Sequence, residues 1–381
     1  MLQKLTIGLL RYFSSRRKIG DLQPSWIKTI VVVELTRLGD VLAILPFLER
    51  LHHRFPNARI RVLVSQAYLP LLASFESGLQ FIGIDGPGTL RGLVHALREV
   101  RDQPADLAVS MSPPRRNVLV ALASDSRFTV GYLSHLDSLT PFLESTQVES
   151  FGFKLPVETV YGRENIYERP AKILMALGVV AEPAQWHARL KAGIYTSVKD
   201  QLTREGRFPH RQYILLHPFS GWDFRSWPLD NFFALAERID SQLECDTVMS
   251  AGAGDLERLR RSVEGRPSVR TILSSDILEM AILTKDAQVV VGNDSGPLHL
   301  AALMNKRTVG LFGPSPPGLT GPCAGNGRYL YKRVECSPCD QRICVRPDRS
   351  CMTLLGVEEV FDAIARLVGS RTTDESLSAN A

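Results

Sequence analysis

Apolar positions along this chain fall into short runs, separated by longer amphipathic stretches. Residues 29–33 are β-branched at every position and read as a buried strand. A turn over 34–40, ELTRLGD, follows. A helix from 40 to about 54 comes next, with Val41, Ile44, Leu48 and Leu51 on one stripe. Pro46 falls inside it, where a proline removes one backbone bond, and Pro56-Asn57 ends it. Residues 60–64, 81–84, 106–110 and 128–131 read as further strands, and 90–100 as a helix between two of them. The stretch 134–161 has no clear period and is expected to be loop, and 165–177 has helical spacing. Strands alternating with helices imply a parallel sheet.

The same alternation restarts at Tyr213, after a linker expected over 178–193. Strand 213–217 leads into the loop PFSGWDFRSWP, residues 218–228, and then helix 229–243. Strand 246–250, the loop AGAGD at 251–255 and helix 256–263 come next. A short strand at 271–273 precedes helix 277–283. Strand 288–291, a sharp turn over 292–296, helix 297–304 and strand 308–312 complete the second run. Helix 357–368 closes it, and the polar tail from Gly369 is expected to be disordered. The boundaries are therefore an N-terminal extension over 1–25, one α/β domain over 26–185, a second over 186–368, and a tail over 369–381.

Composition supports that division. A chain of 381 residues exceeds one ordinary core, and 44% hydrophobic with 22% charged residues fits a soluble globular protein. The net charge of +5 suits an anionic substrate or a membrane surface but is too small for a nucleic-acid footprint. No apolar run reaches the length of a membrane span. The first twenty residues place an apolar patch before Arg16, Arg17 and Lys18, the reverse of a secretory signal. They read either as a basic amphipathic helix on an anionic membrane or as a leader packed on the domain. Cys336, Cys339, Cys344 and Cys351 form a CxxC with two outlying thiols, and a structural zinc site and a loop of reduced thiols both remain open for them.

Candidate chemistry concentrates where strands end. Asp294, Ser295, Gly296 and His299 gather at the turn after strand 288–291, with Pro297 in the first turn of the following helix. Backbone N–H groups and a helix N-terminus at such an edge bind anions. Asp40 stands at the start of the first helix. Its ordinary role is the N-cap and its functional one a general base, although a helix N-terminus favours its charge and so weakens it as a base. Arg37, Arg115 and Arg116 follow first-domain strands and could meet an anionic acceptor. In the 218–228 loop, Ser220 and Gly221 offer a hydroxyl and N–H groups, and Arg225 offers a fixed positive charge. Residues 251–255 are too incomplete for a dinucleotide fingerprint, and neither a phosphate-loop GxxxxGK[ST] nor a GxSxG elbow occurs.

Four stretches together resemble glycosyltransferase family 9, the bacterial lipopolysaccharide heptosyltransferases. They are RLGDVLAILP from Arg37 with FPNARIRVLV from Phe55; HPFSG from His217 with Trp227-Pro228; VGNDSGPLHLAA from Val291 with GLFGP from Gly310; and CSPC from Cys336 with Cys344 and Cys351-Met352. The last is similar to the tail of the heptosyltransferase II type. The resemblance implies an α/β GT-B fold, two Rossmann-like domains facing a central cleft, with the donor on the C-terminal one. It implies inverting, metal-independent transfer of heptose from ADP-heptose, without a cofactor, to an anionic, lipid-linked lipopolysaccharide core. The place implied is the cytoplasm, with peripheral contact at the inner membrane.

By the same resemblance Asp40 becomes the base, with Arg225 beside the leaving diphosphate. Ser220, Gly221, Asp294, Ser295, Gly296 and His299 become the nucleotide-sugar site, and Arg37, Arg115 and Arg116 the acceptor site. Glu34-Leu35-Thr36 and Phe219 depart from the family's commonest choices. Transfer of another nucleotide sugar, a sugar-nucleotide epimerase and a non-catalytic nucleotide-sugar binder are the alternatives.

Overall fold

The computed structural model describes residues 24–112, 115–134, 155–159, 165–179, 187–264, 266, 276–322, 326–339 and 344–369. The expectations for the N-terminal extension, the strand at 271–273 and the polar tail lie largely or wholly outside them. The chain divides into two compact units, 1–73 with 77–185, and 74–76 with 186–381.

The first unit is a parallel six-stranded sheet. Its strands are β1 (Thr29–Val33), β2 (Arg59–Ser65), β3 (Gln80–Ile84), β4 (Leu107–Ser110), β5 (Phe128–Ser134) and β6 (Leu155–Thr159), in the order β3-β2-β1-β4-β5-β6. β1 is central because both its faces are buried, and Ile30, Val31, Val32 and Val33 are all fully enclosed. The longer helices of this unit are α1 (Leu38–Arg54), α2 (Leu90–Asp102), α3 (Arg115–Ala123) and α4 (Glu168–Ala176). α1 buries Val41 through Leu48 without a break, a wider face than one stripe, and it runs through Pro46. Strand order reverses between β1 and β4, so the loops leaving these two strands part and open a crevice between them.

One expectation fails here. The stretch 134–161 is not loop throughout: Leu155–Thr159 is strand β6, in register with β5 from Val130↔Leu155 to Ser134↔Thr159. Pro156 and Glu158 hide it in the sequence. Pro156 is tolerated because β6 lies at the sheet edge, where a missing N–H can face away from the ladder.

The second unit is a parallel five-stranded sheet, ordered β11-β10-β9-β7-β8. Its strands are β7 (Tyr213–His217), β8 (Asp246–Met249), β9 (Val289–Asn293), β10 (Arg307–Phe312) and β11 (Gly327–Tyr331). Its longer helices are α5 (Ala192–Arg204), α6 (Leu229–Leu243), α7 (Leu256–Val263), α8 (Ile277–Asp286), α9 (Gly296–Leu303) and α10 (Val357–Gly369). α5 begins inside the stretch expected to be linker. It is tied to α8 by Asp286, which takes the Tyr195 hydroxyl and the Lys199 ammonium at 2.6 Å. β11 has no counterpart among the expected strands, because its exposed polar neighbours resemble loop.

The core on one face of this sheet joins Ile214, Trp227, Phe232, Phe233 and Ile239 to Val360, Phe361 and Ile364 of α10. Gly310 lets its neighbours close on β10, since a Cβ there would lie 2.8 Å from side-chain atoms of both Leu298 and Tyr329. The order reverses between β7 and β9, which brings the loops after those two strands together.

Candidate active site

The loop after β7 and the turn after β9 are joined by Asn293. Its Oδ1 accepts from the Trp227 backbone N–H at 2.9 Å, and its Nδ2 donates to the Pro218 carbonyl at 2.8 Å. Both partners of this amide are backbone groups of the 218–228 loop, so the loop's two ends are fixed to β9. The Trp227 indole adds a third tie, donating to Leu355 O at 2.8 Å while its ring meets Phe232 edge-on.

Asp294 follows and is 7% exposed. It forms an ion pair with Arg225 at 3.3 Å and accepts from the Thr320 hydroxyl at 2.9 Å. Arg225 ends a single 3-10 turn, Asp223–Arg225, and is largely buried. Asp294 and Arg225, assigned separate roles on the sequence, are thus partners, and the guanidinium arrives at the strand end already balanced by a carboxylate.

Ser295 occupies the N-cap position of α9, but its hydroxyl turns back to the Asn293 carbonyl at 3.1 Å rather than capping the helix. Gly296 opens the helix. His299 is 3% exposed and lies among the buried residues of α9. Ser220 is engaged within its own loop: its Oγ donates to Trp222 O at 2.7 Å, and its N–H donates to Ser226 Oγ at 3.1 Å. Gly221 is exposed beside it. His217, at the end of β7, has Nδ1 at 3.0 Å from Ser250 Oγ. Burial pushes its imidazole down to about 4, so it is neutral at physiological pH.

In the first unit, α1 begins at Leu38 and the N-cap position is Arg37, whose side chain makes no cap bond. Asp40 therefore lies inside the first turn, not at the cap, and is half-buried. The boundary moves because residue 37 already has the extended backbone of a cap, φ −80° and ψ 162°. The Tyr68 hydroxyl accepts the Leu38 N–H, and burial together with the Asp40 charge raises its pKa. Arg115 and Arg116 open helix α3 rather than extending a turn. Arg116 donates to the Pro87 carbonyl at 2.6 Å.

At the end of β1 lies a group that the sequence does not single out as functional. Glu34, the first residue after β1, is fully buried. Its Oε1 accepts from Thr36, from Ser112 at 2.9 Å and from Asn117 Nδ2 at 3.3 Å. Asn117 also takes the Leu35 N–H at 3.2 Å and reaches Ser112 Oγ at 2.7 Å. Burial first, and then the Asp40 charge, push the Glu34 carboxyl up to about 7. A charged residue directly after an all-β-branched strand is the available signal. Asn293 falls within the VGNDSGPLHLAA stretch without a role of its own, and Asn117 and Thr320 carry none.

Two sets of residues thus stand at strand ends, one in each unit: an ionisable pair beside a helix start, and an Arg–Asp pair beside another. The model of "Glycosyltransferase family 9 (heptosyltransferase)" matches residues 161–348. Lipopolysaccharide heptosyltransferase 3 of Escherichia coli is 24% identical over 354 residues, covering 89% of this chain and 99% of that protein.

Over residues 161–348 this chain is a family 9 glycosyltransferase.

Solved structures extend the likeness to the fold. A family 9 glycosyl transferase of Veillonella parvula aligns with TM-score 0.71 and 22% identity, over 90% of this chain and 97% of that one. The ADP-heptose lipopolysaccharide heptosyltransferase II of Escherichia coli aligns with TM-score 0.68 and 20% identity, over 90% and 99%. Two Rossmann-like α/β units with parallel sheets, as in the GT-B fold, are common to them all. The family match spans the whole Asn293–Thr320 cluster, Arg225 and the cysteine loop as far as Cys344, ending before Cys351. In that loop Cys336, Cys339, Cys344 and Cys351 are unbridged. The Cys351 thiol is pushed up to about 11, by burial first and then by the other three thiols. Among the described residues no group of His, Cys, Asp or Glu is arranged to hold a metal ion, and no helix is long and apolar enough to cross a membrane.

Proposed function

We propose that this family 9 glycosyltransferase moves a heptose from ADP-heptose to the inner core of lipopolysaccharide, inverting the anomeric centre without a metal ion. The observation that carries the proposal is the Asp294–Arg225 pair at 3.3 Å beside the start of α9. It supports this reading because a fixed guanidinium and a helix N-terminus at one strand end suit a leaving diphosphate as it gathers charge. The full-length likeness to a lipopolysaccharide heptosyltransferase supports the sugar and the acceptor.

In the proposed reaction an acceptor hydroxyl attacks the anomeric carbon from the face opposite the diphosphate. The new C–O bond forms as the bond to the diphosphate oxygen breaks, and its electron pair leaves with ADP. The hydroxyl proton passes to Asp40. Arg225 has five N–H donors and gives one nitrogen to Asp294, which aims the rest. Thr320 fixes Asp294 in turn. Ser220 and Gly221 shape the loop around the donor, and Ser295, Gly296 and His299 set the geometry of the helix start. Arg37, Arg115 and Arg116 receive the anionic acceptor. Because that acceptor is lipid-linked, transfer takes place at a membrane surface, which for this step is the cytoplasmic face.

A donor screen tests the proposal. ADP-heptose and other nucleotide sugars are each incubated with a heptose-deficient lipopolysaccharide, and the products are weighed by mass spectrometry. The expected result is one added heptose, with ADP released only when donor and acceptor are both present. Transfer from a different nucleotide sugar would overturn the heptose assignment, and conversion of the donor without acceptor would mark an epimerase.

A further inference from the structure

The crevice between β1 and β4 holds a second carboxyl that the transfer above does not use. Glu34 is fully buried, and its two oxygens are treated very differently. Oε1 accepts from three neutral donors, Thr36, Ser112 and Asn117. Oε2 is buried and has no hydrogen-bond partner. An ionised carboxylate with one bare oxygen in such a place is costly, whereas a neutral carboxyl places its proton on that oxygen. The donors on Oε1 are hydroxyls and an amide that do not titrate. The charged group acting on Glu34 is Asp40, from the first turn of α1. Arg37 and Tyr68 stand around Asp40 in turn, the latter through the Leu38 N–H.

The same contacts tie Glu34 to the position of Asp40. Asn117 holds Glu34 with its amide nitrogen and the Leu35 N–H with its amide oxygen. The Glu34 N–H donates to Leu63 O at 3.0 Å. The short segment between β1 and α1 is therefore anchored at Glu34 and Leu35, six and five residues before Asp40. A carboxyl needed only for anchoring would not require an oxygen without a partner, since glutamine would supply the same acceptor.

We propose that Glu34 is a positioning residue for the transfer: a buried carboxyl that holds a proton on Oε2 while Asp40 carries the pair's negative charge, and that ionises to add a second negative charge behind Asp40. Its ionisation favours movement of the acceptor's proton toward Asp40, since a nearby negative charge stabilises the proton's arrival. No group is consumed. Glu34 exchanges its proton with solvent, and Asp40 alone receives the proton of the reacting hydroxyl. The proposal rests on Asp40 as the base.

Two measurements on the full chain test it. The first needs no substrate: infrared difference spectra against pH, comparing the parent, Glu34→Gln and Asp40→Asn. The parent should show a protonated carboxyl that titrates near neutral pH. Glu34→Gln should lack that band, and Asp40→Asn should keep it with the midpoint moved to lower pH, because the neighbouring charge is gone. A parent without the band, or an Asp40→Asn midpoint that stays in place, would overturn the proposal. The second is the kcat profile with ADP-heptose and acceptor. The parent should rise through about pH 7, by threefold or more, and Glu34→Gln should be flat there. Superimposed profiles would overturn it. Absence of transfer in the parent at every pH would count against the heptose assignment instead, and the infrared titration would still decide for or against the buried proton.

Discussion

The strand ends of β1 and β9 are built to one plan and differ in how each carboxyl is kept. Each strand runs into a short turn and then a helix start, with an acidic residue just past the strand and an Asn amide fastening the backbone nearby. At β9 the carboxylate of Asp294 has a cation, Arg225 at 3.3 Å, and one hydroxyl. At β1 the carboxyl of Glu34 accepts from neutral donors, and the charge that acts on it is that of a second acid, Asp40. The first arrangement fixes charge and suits holding an anion in place. The second leaves a proton in balance and suits proton traffic. In this protein, the chemistry of a strand end follows from which partner the fold brings to its acid.

Breaking the support behind the β9 end should have the largest effect. Trp227→Ala removes a fully buried ring and its bond to Leu355 O, and should cost about 3–5 kcal/mol. Urea denaturation should show this as a lower midpoint with an unchanged slope.

The β1 end should declare itself in the pH dependence of stability. The native state holds the Glu34 proton more tightly than the unfolded chain between the ordinary value of 4.5 and about 7. Its stabilisation is therefore fully present below 4.5, falls as pH rises, and is gone above about 7. The loss from this one group is on the order of 3 kcal/mol. Glu34→Gln should flatten that part of the curve, and a parent curve already flat from about pH 5 to about pH 7.5 would contradict the assignment.

Removing the charge from the β9 end should be milder. Asp294→Asn keeps the shape but loses the ion pair, so the affinity for ADP measured by calorimetry should fall about tenfold, roughly 1.4 kcal/mol. The smallest effect is expected for Thr320→Val, which deletes one hydrogen bond to Asp294, worth about 1 kcal/mol. Its loss in ADP affinity should not exceed that of Asp294→Asn. The opposite ranking would mean that the hydroxyl, and not the guanidinium, sets the site.

Much of this is legible in the sequence. The central strands announce themselves because both faces are buried and the residues are β-branched, as in 29–33. The turns at 34–40 and 292–296 are visible because small and acidic residues interrupt those runs. The edge strands β6 and β11 are not, since an edge tolerates Pro156 and a half-exposed GRYLY that a central strand would reject. The site is legible residue by residue but not as pairs. Nothing in the spacing of Arg225 and Asp294, or of Thr320 and Asp294, states that they touch, because the first contact depends on strand order reversing between β7 and β9 and the second on β10 lying beside β9. Glu34 reads only as a departure in a loop. Its meaning depends on Ser112 and Asn117, which arrive from β4's side of the crevice.

The central claim is that Asp40 accepts the proton while the second unit holds the donor, and one measurement addresses both halves. For Asp40→Asn, kcat for heptose transfer and the dissociation constant of ADP-heptose are determined on the same folded preparation. The expected result is a kcat lowered about a hundredfold or more with donor affinity within about twofold of the parent, the signature of an interaction used only in the transition state. A near-parental kcat would make Asp40 a structural residue of the first turn and would contradict the mechanism.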